Sequence, residues 1–474
     1  MQQVPASSFL QVKKPWLQKL IARLNRHFTY ASALGTDVAG KSYYVSDKVT
    51  NISDGSWGER GFVVRVYNSG RYFEHAFNNL PEEDTALEAL AAQIIESASK
   101  SAGAGAAFLY PEPQEEPLRQ TFHDQVELLP NAIGPDKIIA QLTGLNRKMC
   151  VISPLVVDAM VGMSYAQVSK IFISAKKDLE QHYIWSDAFL APTTRRDDVT
   201  RSPYKSFSGM MGLEILSEIE SGLEKVVQNA CKLLDAKPMP PGEYDVICSP
   251  DAVGIIAHEA FGHGVELDMF LKNRANAKEY MGKPVASPIV RMHDGAQAAR
   301  HMSSYLFDDE GNLGSDTVII ENGILRAGIS DALSAAQLGL LPTGNGKRQT
   351  YANKAYSRMT NTFIAPGTDT LEDMIKSVKH GYLIEDAESG MEDPKDWGIQ
   401  CMFTAAREIV NGQVTDNWVA PVVMTGYVPD LLKAITMISE DFELSGGGGC
   451  GKGYKEWVKV SCGGPYIKTR ARLG

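Results

Sequence analysis

The segment His258-Glu259-Ala260-Phe261-Gly262-His263 combines the two side-chain types that a hydrolytic metal site needs. Imidazole nitrogens bind zinc and similar ions, and a carboxylate beside a ligand can take a proton from water. The familiar spacing for this chemistry is H-E-x-x-H, in which histidines at i and i+4 share one face of a helix. Here the histidines are five residues apart, which separates them by roughly 140° on a regular helix. Convergence on one ion therefore predicts either a π-type bulge or an end of the helix at Gly262 or Gly264.

A third ligand must come from elsewhere, because a catalytic zinc ion takes three protein ligands and keeps one position open. The best candidate is Cys450, which lies in the glycine-rich run Ser445–Gly453. Four consecutive glycines let the backbone approach another element closely. Cys462 is the rival candidate. The same features also fit a pair of histidines at a helix end and a flexible turn with an incidental cysteine.

Several acidic residues near the motif have both a chemical and an ordinary interpretation. Glu259, adjacent to a ligand, is the candidate general base. Glu266 or Asp268 could orient a ligand histidine, or could be solvated acids after the helix. The run Asp308-Asp309-Glu310 suggests either a second metal site or an acidic turn, and we favour the turn. The nearby Gly344–Arg348 segment lacks the spacing of a phosphate-binding loop and is expected to shape a peptide cleft.

The elements that must position these residues follow from the hydrophobic pattern. An apolar strand is predicted at Asp245–Cys248, and Ser249, Pro250 and Asp251 supply an N-cap, a first-turn proline and a first-turn acid. The motif is therefore expected on a helix that follows a strand. Other helices are predicted at 15–27, 81–100, 136–149 and 213–234. Strands are predicted within 29–77, within 165–207 around a polar loop at 192–201, and at 317–320, 324–329, 401–410, 418–423 and 457–460.

The length of 474 residues suggests two or three domains. Prolines at 238, 240 and 241 cannot continue the preceding helix, so we predict an N-terminal α/β domain of residues 1–237 and a C-terminal β-rich domain of residues 238–474. Residues 101–117, small and then rich in proline and acids, are predicted to form a surface linker.

The composition also narrows the class of protein. A net charge of −10 argues against a general binder of nucleic acid or of membrane surfaces, since both need a basic field. No apolar run reaches the ~18–20 residues that span a bilayer, and the first residues lack the apolar core of a signal peptide, so a cytoplasmic protein is expected. Six scattered cysteines are then expected to be thiols or metal ligands rather than a disulfide framework.

Four segments, in this order, resemble the TldD branch of the TldD/PmbA (TldE) metallopeptidase family. They are HEAFGHGVELD, SYLFDDEGN, TGNGKRQTYANKAYSRMTNTFIAPG and GGGGCGKG. The resemblance covers roughly residues 30–470 and is loose in the first region, where GERGFVVRVY carries it. The C-terminal YIKTRARLG and the acidic stretch Glu385–Trp397 depart from the family pattern.

The resemblance implies an α+β fold with an N-terminal α/β domain and a C-terminal, mostly antiparallel and barrel-like β domain that carries the metal-binding helix. It implies a Zn²⁺ site formed by His258, His263 and Cys450, with Glu259 as general base. It further implies hydrolysis of unfolded or small peptides by a homodimer, or by a heterodimer with a TldE/PmbA-like non-catalytic subunit. The alternative is a non-catalytic scaffold or peptide-maturation partner with a structural zinc site, which would need a fourth protein ligand such as Cys462.

Overall fold

A computed structural model describes residues 1–101, 108–452 and 455–474 of the chain. The described residues do not include 102–107, which belong to the predicted linker. They also do not include Gly453, the last residue of the glycine-rich run, or the neighbouring Tyr454.

Nine α-helices occur in this described part of the chain. They are α1 (Ser8–Leu24), α2 (Asp84–Ser101), α3 (Pro135–Ile152), α4 (Ile215–Lys232), α5 (Pro250–Ala257), α6 (Leu267–Leu271), α7 (Ala332–Leu338), α8 (Leu371–Lys376) and α9 (Val428–Lys433). Single turns of other helix types lie at Pro130–Ala132, Leu233–Asp235, His258–Gly262, His263–Val265 and Asn276–Tyr280.

The first half of the chain supplies the strands β1 (Gln2–Gln3), β2 (Tyr30–Ser46), β3 (Thr50–Asp54), β4 (Glu59–Asn68), β5 (Arg71–Phe77), β6 (Leu118–His123), β7 (Gln125–Val126), β8 (Val156–Ser174), β9 (Lys177–Arg196), β10 (Val199–Arg201) and β11 (Lys205–Gly209). The second half supplies β12 (Gly242–Cys248), β13 (Met292–Asp294), β14 (Thr317–Glu321), β15 (Ile324–Leu325), β16 (Gly346–Lys347), β17 (Tyr356–Ser357), β18 (Asn361–Ile364), β19 (His380–Glu392), β20 (Gly398–Val410), β21 (Gln413–Val419), β22 (Val422–Tyr427), β23 (Met437–Ile438), β24 (Glu443–Ser445), β25 (Gly449–Lys452), β26 (Lys455–Lys459), β27 (Ser461–Gly464) and β28 (Ile467–Leu473).

A nine-stranded sheet organises the N-terminal half, with the central order β10-β9-β8-β2-β4-β5. Side chains on alternate positions of a strand point to opposite faces. On β2, the odd-numbered Ala31, Ala33, Tyr43 and Val45 pack among the buried residues of α1 to α4. The even-numbered face of the same sheet packs against the C-terminal half, with Leu34 in one cluster with Phe307. The sheet therefore carries helices on one face and the second half of the chain on the other.

The second half is built around a closed five-stranded barrel. The order β12-β19-β20-β22-β28 returns to its start because β28 also pairs with β12. The pairing of β12 with β19 is parallel, and the other pairings around the barrel are antiparallel. A second sheet, β15-β14-β13-β18-β27-β24, lies beside it, and α5 contacts strands of both. These observations confirm the expected α+β fold with a mostly antiparallel, barrel-like C-terminal region.

The strands predicted within 165–207 differ from the structure in extent. β8 and β9 form one long antiparallel hairpin, and β9 continues to Arg196 and turns directly into β10. The predicted loop at 192–201 is therefore wrong, because cross-strand pairing extends both strands through polar sequence. The predicted strand at 324–329 also ends early, at Leu325. The division of the chain at residues 237 and 238 stays a prediction.

No helix in the described ranges is long and apolar enough to cross a membrane.

Candidate metal centre

The two motif histidines lie on a π-turn. β12 leads into α5, whose N-cap is Ser249 and whose first residue is Pro250, and α5 continues into the π-turn His258–Gly262. The backbone N–H of His263 donates to the carbonyl of His258, the five-residue repeat that a π-turn provides. The two imidazole rings are thereby brought to a centroid distance of 5.1 Å. Of the two alternatives predicted from the spacing of the histidines, the structure has the π-type bulge.

Cys450 completes a three-residue cluster with the two histidines. Its Sγ lies 3.2 Å from Nε2 of His258 and 3.2 Å from Nε2 of His263. A tetrahedral zinc ion with Zn–N of ~2.05 Å and Zn–S of ~2.3 Å would hold such atoms about 3.6 Å apart. The donor atoms of the three residues lie within 4.8 Å of one another. Two imidazoles and one thiolate at this spacing fit a catalytic zinc ion with one open position.

The surroundings of Cys450 favour its thiolate form. Burial alone would raise the pKa of the thiol, but the charges and hydrogen bonds of His258 and His263 lower it to about 4. Cys462 behaves in the opposite way, because burial raises the pKa of its thiol to about 12. Within the described residues, the cluster contains Cys450 and not Cys462. The structure thus places Cys450 beside the two histidines and leaves Cys462 out of the cluster.

Glu259 occupies the π-turn beside His258 and is buried. Its side chain packs over Gly390 of β19, where an added Cβ would come within 2.5 Å of Glu259 Cγ. Among the described residues, its carboxylate has no hydrogen-bond or ion-pair partner, so its oxygens are free to accept a proton from water.

Glu266, and not Asp268, contacts a motif histidine. Oε2 of Glu266 lies 3.5 Å from Nδ1 of His263 and 3.0 Å from Nζ of Lys452. Burial raises the pKa of Glu266, but Lys452, His263 and Arg358 together hold it well below its usual range. Asp268 instead accepts from Lys452 at 2.6 Å. Glu266 is thus a buried anion that fixes the orientation of the His263 ring.

Arg358 is a member of the site that the spacing of the motif residues did not reveal. Its fully buried guanidinium donates from Nη2 to Cys450 Sγ at 3.1 Å and to the Cys450 carbonyl at 2.9 Å. Nε lies 3.3 Å from Glu266 Oε1. Arg358 lies within the stretch TGNGKRQTYANKAYSRMTNTFIAPG, and the resemblance of this stretch to the family was the only feature of the sequence that pointed to it. It links the hairpin that carries the thiolate to the acid that holds His263.

Glu392, the last residue of β19, adds a second carboxylate close to the motif. An added Cβ on Gly264 would lie 3.3 Å from Glu392 Oε1. Both carboxylate oxygens of Glu392 are buried, and neither has a hydrogen-bond partner within the described chain. Burial, together with the nearby charge of Glu259, raises the pKa of Glu392 to about 9.

The acidic run at residues 308–310 leads into a turn, as expected, and its three side chains are buried. Asp309 pairs with Lys170 of β8, and Glu310 pairs with Arg65 of β4 at 2.5 Å. Asp308 accepts backbone N–H groups from Glu310, Asn312 and Gly346. The run is buried because the cations that pair with Asp309 and Glu310 come from the N-terminal sheet, which packs against it. In the described ranges, these acids do not form a second metal cluster.

A cavity of about 240 Å³ lies between the loops of the second half and the face of the N-terminal sheet that packs against them. Trp57 and Trp185 line it from the sheet side, and Trp457 of β26 lines it from the hairpin that carries Cys450. Lys347 and Arg348 of the Gly344–Arg348 segment also reach it.

Residues 241–471 match the family model described as the PmbA/TldA metallopeptidase C-terminal domain. The chain is 35% identical over 267 residues to a metalloprotease from Methanocaldococcus jannaschii, covering 56% of this chain and 58% of that relative. It is 33% identical over 282 residues to a protein from Saccharolobus solfataricus named zinc metalloprotease TldD homolog, covering 58% and 61%. These two alignments thus span about three fifths of the relatives' own length. A metalloprotease from Synechocystis is 29% identical over 441 residues, covering 90% of each chain.

Two solved structures share the fold. TldE from Thermococcus kodakarensis superposes with a TM-score of 0.75 and 17% identity, covering 97% of this chain and all of that one. A Thermotoga maritima protein described as a candidate modulator of DNA gyrase superposes with a TM-score of 0.77 and 17% identity, covering 97% of this chain and all of that one. At this identity the likeness establishes the fold alone. The family-model match and the named relatives show that residues 241–471 form a metallopeptidase C-terminal domain of the PmbA/TldD family.

Proposed function

We propose that this protein is a cytoplasmic, zinc-dependent peptidase of the TldD branch that hydrolyses unfolded or small peptides. The observation that carries the proposal is the convergence of His258, His263 and Cys450, with Glu259 beside them. A donor set of two imidazoles and a thiolate suits zinc, and the relative from Saccharolobus solfataricus is named a zinc metalloprotease. Assignment to the TldD branch rests on the intact motif, which the resemblance associates with the active subunit.

In the proposed mechanism, zinc supplies Lewis acidity and lowers the pKa of a water molecule. Glu259 takes the proton of the attacking water and later passes it to the leaving amine. Glu266 holds Nδ1 of His263, which directs Nε2 toward the site. Arg358 keeps Cys450 in place and stabilises the negative charge on its sulfur.

We further propose that the cavity beside Trp457 forms part of the peptide cleft, since the hairpin β25–β26 contributes both Cys450 and a wall of the cavity. We also propose that the protein assembles as a homodimer or as a heterodimer with a TldE/PmbA-like subunit. This proposal is supported by the family match and by the TldE structure among the neighbours.

The proposal is tested by metal analysis and peptide cleavage on the wild type and on Glu259→Ala. The variant should retain zinc and lose cleavage by about 10²-fold or more, because general-base catalysis contributes on that scale. The exposed Glu279→Ala serves as the matched control and should cleave like the wild type. Equal cleavage by Glu259→Ala would remove Glu259 from the mechanism. A wild type that binds zinc and cleaves no unfolded peptide would favour the alternative of a scaffold with structural zinc.

A further inference from the structure

We propose that Glu392 recognises a positive charge on the peptide substrate, carried either by its α-ammonium group or by a lysine or arginine side chain near the scissile bond. This inference rests on the proposed peptidase function and adds a substrate preference to it.

The first argument is the unmet hydrogen-bonding capacity of Glu392. Buried polar atoms in folded proteins are nearly always hydrogen-bonded, and burying a carboxylate without donors is unfavourable. Both oxygens of Glu392 are buried and lack a partner in the described chain. A group with several N–H donors, such as an ammonium or a guanidinium, would satisfy both oxygens.

The second argument is position. β19 passes the proposed general base at Gly390, which packs directly on Glu259. Two residues later the strand ends at Glu392, whose Oε1 would lie 3.3 Å from a Cβ on Gly264, the residue after His263. The carboxyl group therefore lies beside the reacting centre, within reach of a substrate residue that flanks the scissile bond.

The third argument is the charge of the surroundings. The carboxylates of Glu259, Glu266 and Asp393 lie close enough to act on Glu392 electrostatically. Among the nearby cations, His263 acts on Glu392 in the opposite sense, whereas Lys452 and Arg358 are directed to Glu266. A cationic group of a ligand at Glu392 would therefore lie near three further carboxylates of opposite charge. Glu392 is not a member of the three-residue metal cluster found among the described residues, so that cluster does not account for its unpartnered oxygens.

The test compares zinc-loaded wild type, Glu392→Gln and Glu388→Gln on matched quenched-fluorescence peptides. Glu388 lies on the same strand, is exposed and accepts from Thr404, which makes its variant the control. One peptide is N-acetylated and neutral. The second differs only in a free α-ammonium group, and a third set carries a single lysine in place of glutamine at successive positions. The second and third arms separate the two sources of positive charge.

In the wild type, kcat/KM should be about tenfold or more higher for one cationic arm than for the neutral peptide. Glu392→Gln should reduce that ratio toward one while retaining its zinc, and Glu388→Gln should keep the ratio. No charge preference in the wild type, or an unchanged ratio in Glu392→Gln, would overturn the proposal. Loss of zinc from Glu392→Gln would also overturn it, because Glu392 would then be a metal ligand.

Peptide binding measured by fluorescence anisotropy separates this inference from the proposed function. If the wild type cleaves none of the peptides, the proposed function fails. Tighter binding of a cationic peptide by the wild type than by Glu392→Gln would still support the role of Glu392, and equal binding would contradict it.

Discussion

Cys450 has three positively polarised neighbours, and its chemistry follows from them. His258 and His263 approach its sulfur from the π-turn, and Arg358 approaches from the loop after β17. Opposite charge and hydrogen bonding favour the thiolate strongly enough to overcome its burial. The thiolate is the form that binds a metal, so the site is prepared for one by its own electrostatics.

Replacing Cys450 by serine should remove most of the bound zinc. A neutral hydroxyl is a much poorer zinc ligand than a thiolate, so we expect the affinity for zinc to fall about 100-fold or more. Zinc content after dialysis, measured by atomic absorption, checks this. Cys462→Ser is the matched control and should keep its zinc. If Cys462→Ser lost zinc and Cys450→Ser retained it, Cys462 would be the ligand.

The metal-free protein should keep the Cys450 thiolate to low pH. Because the thiol pKa falls to about 4 in the folded state, the thiolate absorbance should persist until the pH approaches 4. An unfolded thiol loses its charge below about pH 8.5. The folded pKa is the lower of the two, so the stability contributed by this group is complete above the unfolded pKa and is lost as the pH falls toward 4. The thiolate is measured by the difference in absorbance between the wild type and Cys450→Ser as a function of pH. A titration midpoint near pH 8.5 would contradict the expectation.

At the scale of elements, the site depends on how closely three backbone segments approach the π-turn. Gly262 packs against Met359, and an added Cβ would lie only 2.0 Å from the Met359 sulfur. Gly390 of β19 packs against Glu259 on another side. The hairpin β25–β26 then brings Cys450 to the histidines. The π-turn is therefore held by barrel, loop and hairpin together.

Gly390→Ala should impair cleavage more than it impairs metal binding. The new Cβ would lie 2.5 Å from Glu259 Cγ, which must displace the proposed base, whereas the three ligands are untouched. We expect kcat to fall about tenfold or more, since small displacements of a catalytic group are costly. Gly398→Ala in β20, whose added Cβ meets nothing within 4 Å, is the control. If both alanine variants have wild-type kcat, the packing of Gly390 does not position Glu259.

At the scale of the molecule, the N-terminal sheet and the C-terminal half are joined by buried ion pairs as well as by apolar contact. Glu310 pairs with Arg65, and Asp309 pairs with Lys170. Asp308 and Asp309 also accept the backbone N–H groups of Gly346 and Arg348, which flank Lys347 at the cavity beside Trp457. The position of the proposed peptide cleft therefore depends on contacts between the two halves.

Arg65→Met should destabilise the protein markedly. It leaves the fully buried Glu310 carboxylate without its cation, and breaking one side of a buried pair typically costs about 3–5 kcal/mol. Urea-induced unfolding followed by fluorescence should show a lower midpoint. Lys41→Met breaks the exposed pair with Asp54 and should have little effect. Equal midpoints for the two variants would show that the buried pair does not hold the halves together.

The sequence alone was sufficient for features that depend on local pattern. The spacing of His258 and His263 predicted either a π-type bulge or an end of the helix at Gly262 or Gly264, because a regular helix separates residues five apart, and the structure has the bulge. The order Ser249, Pro250, Asp251 predicted the start of the helix, and Ser249 is the N-cap residue, although its hydroxyl donates to Asp251 rather than accepting a backbone N–H. The motifs shared with the family predicted the fold class.

Only the tertiary structure decided which distant residues meet. Arg358 reaches Cys450 across 92 positions, and Glu392 reaches Gly264 across an even longer separation, and neither approach has a local signature. The acidic run at 308–310 was expected to form a turn, but its burial was not predicted, because its countercharges, Arg65 and Lys170, belong to another part of the chain. Charge pairing and burial are set by three-dimensional proximity, which periodicity within one segment does not encode.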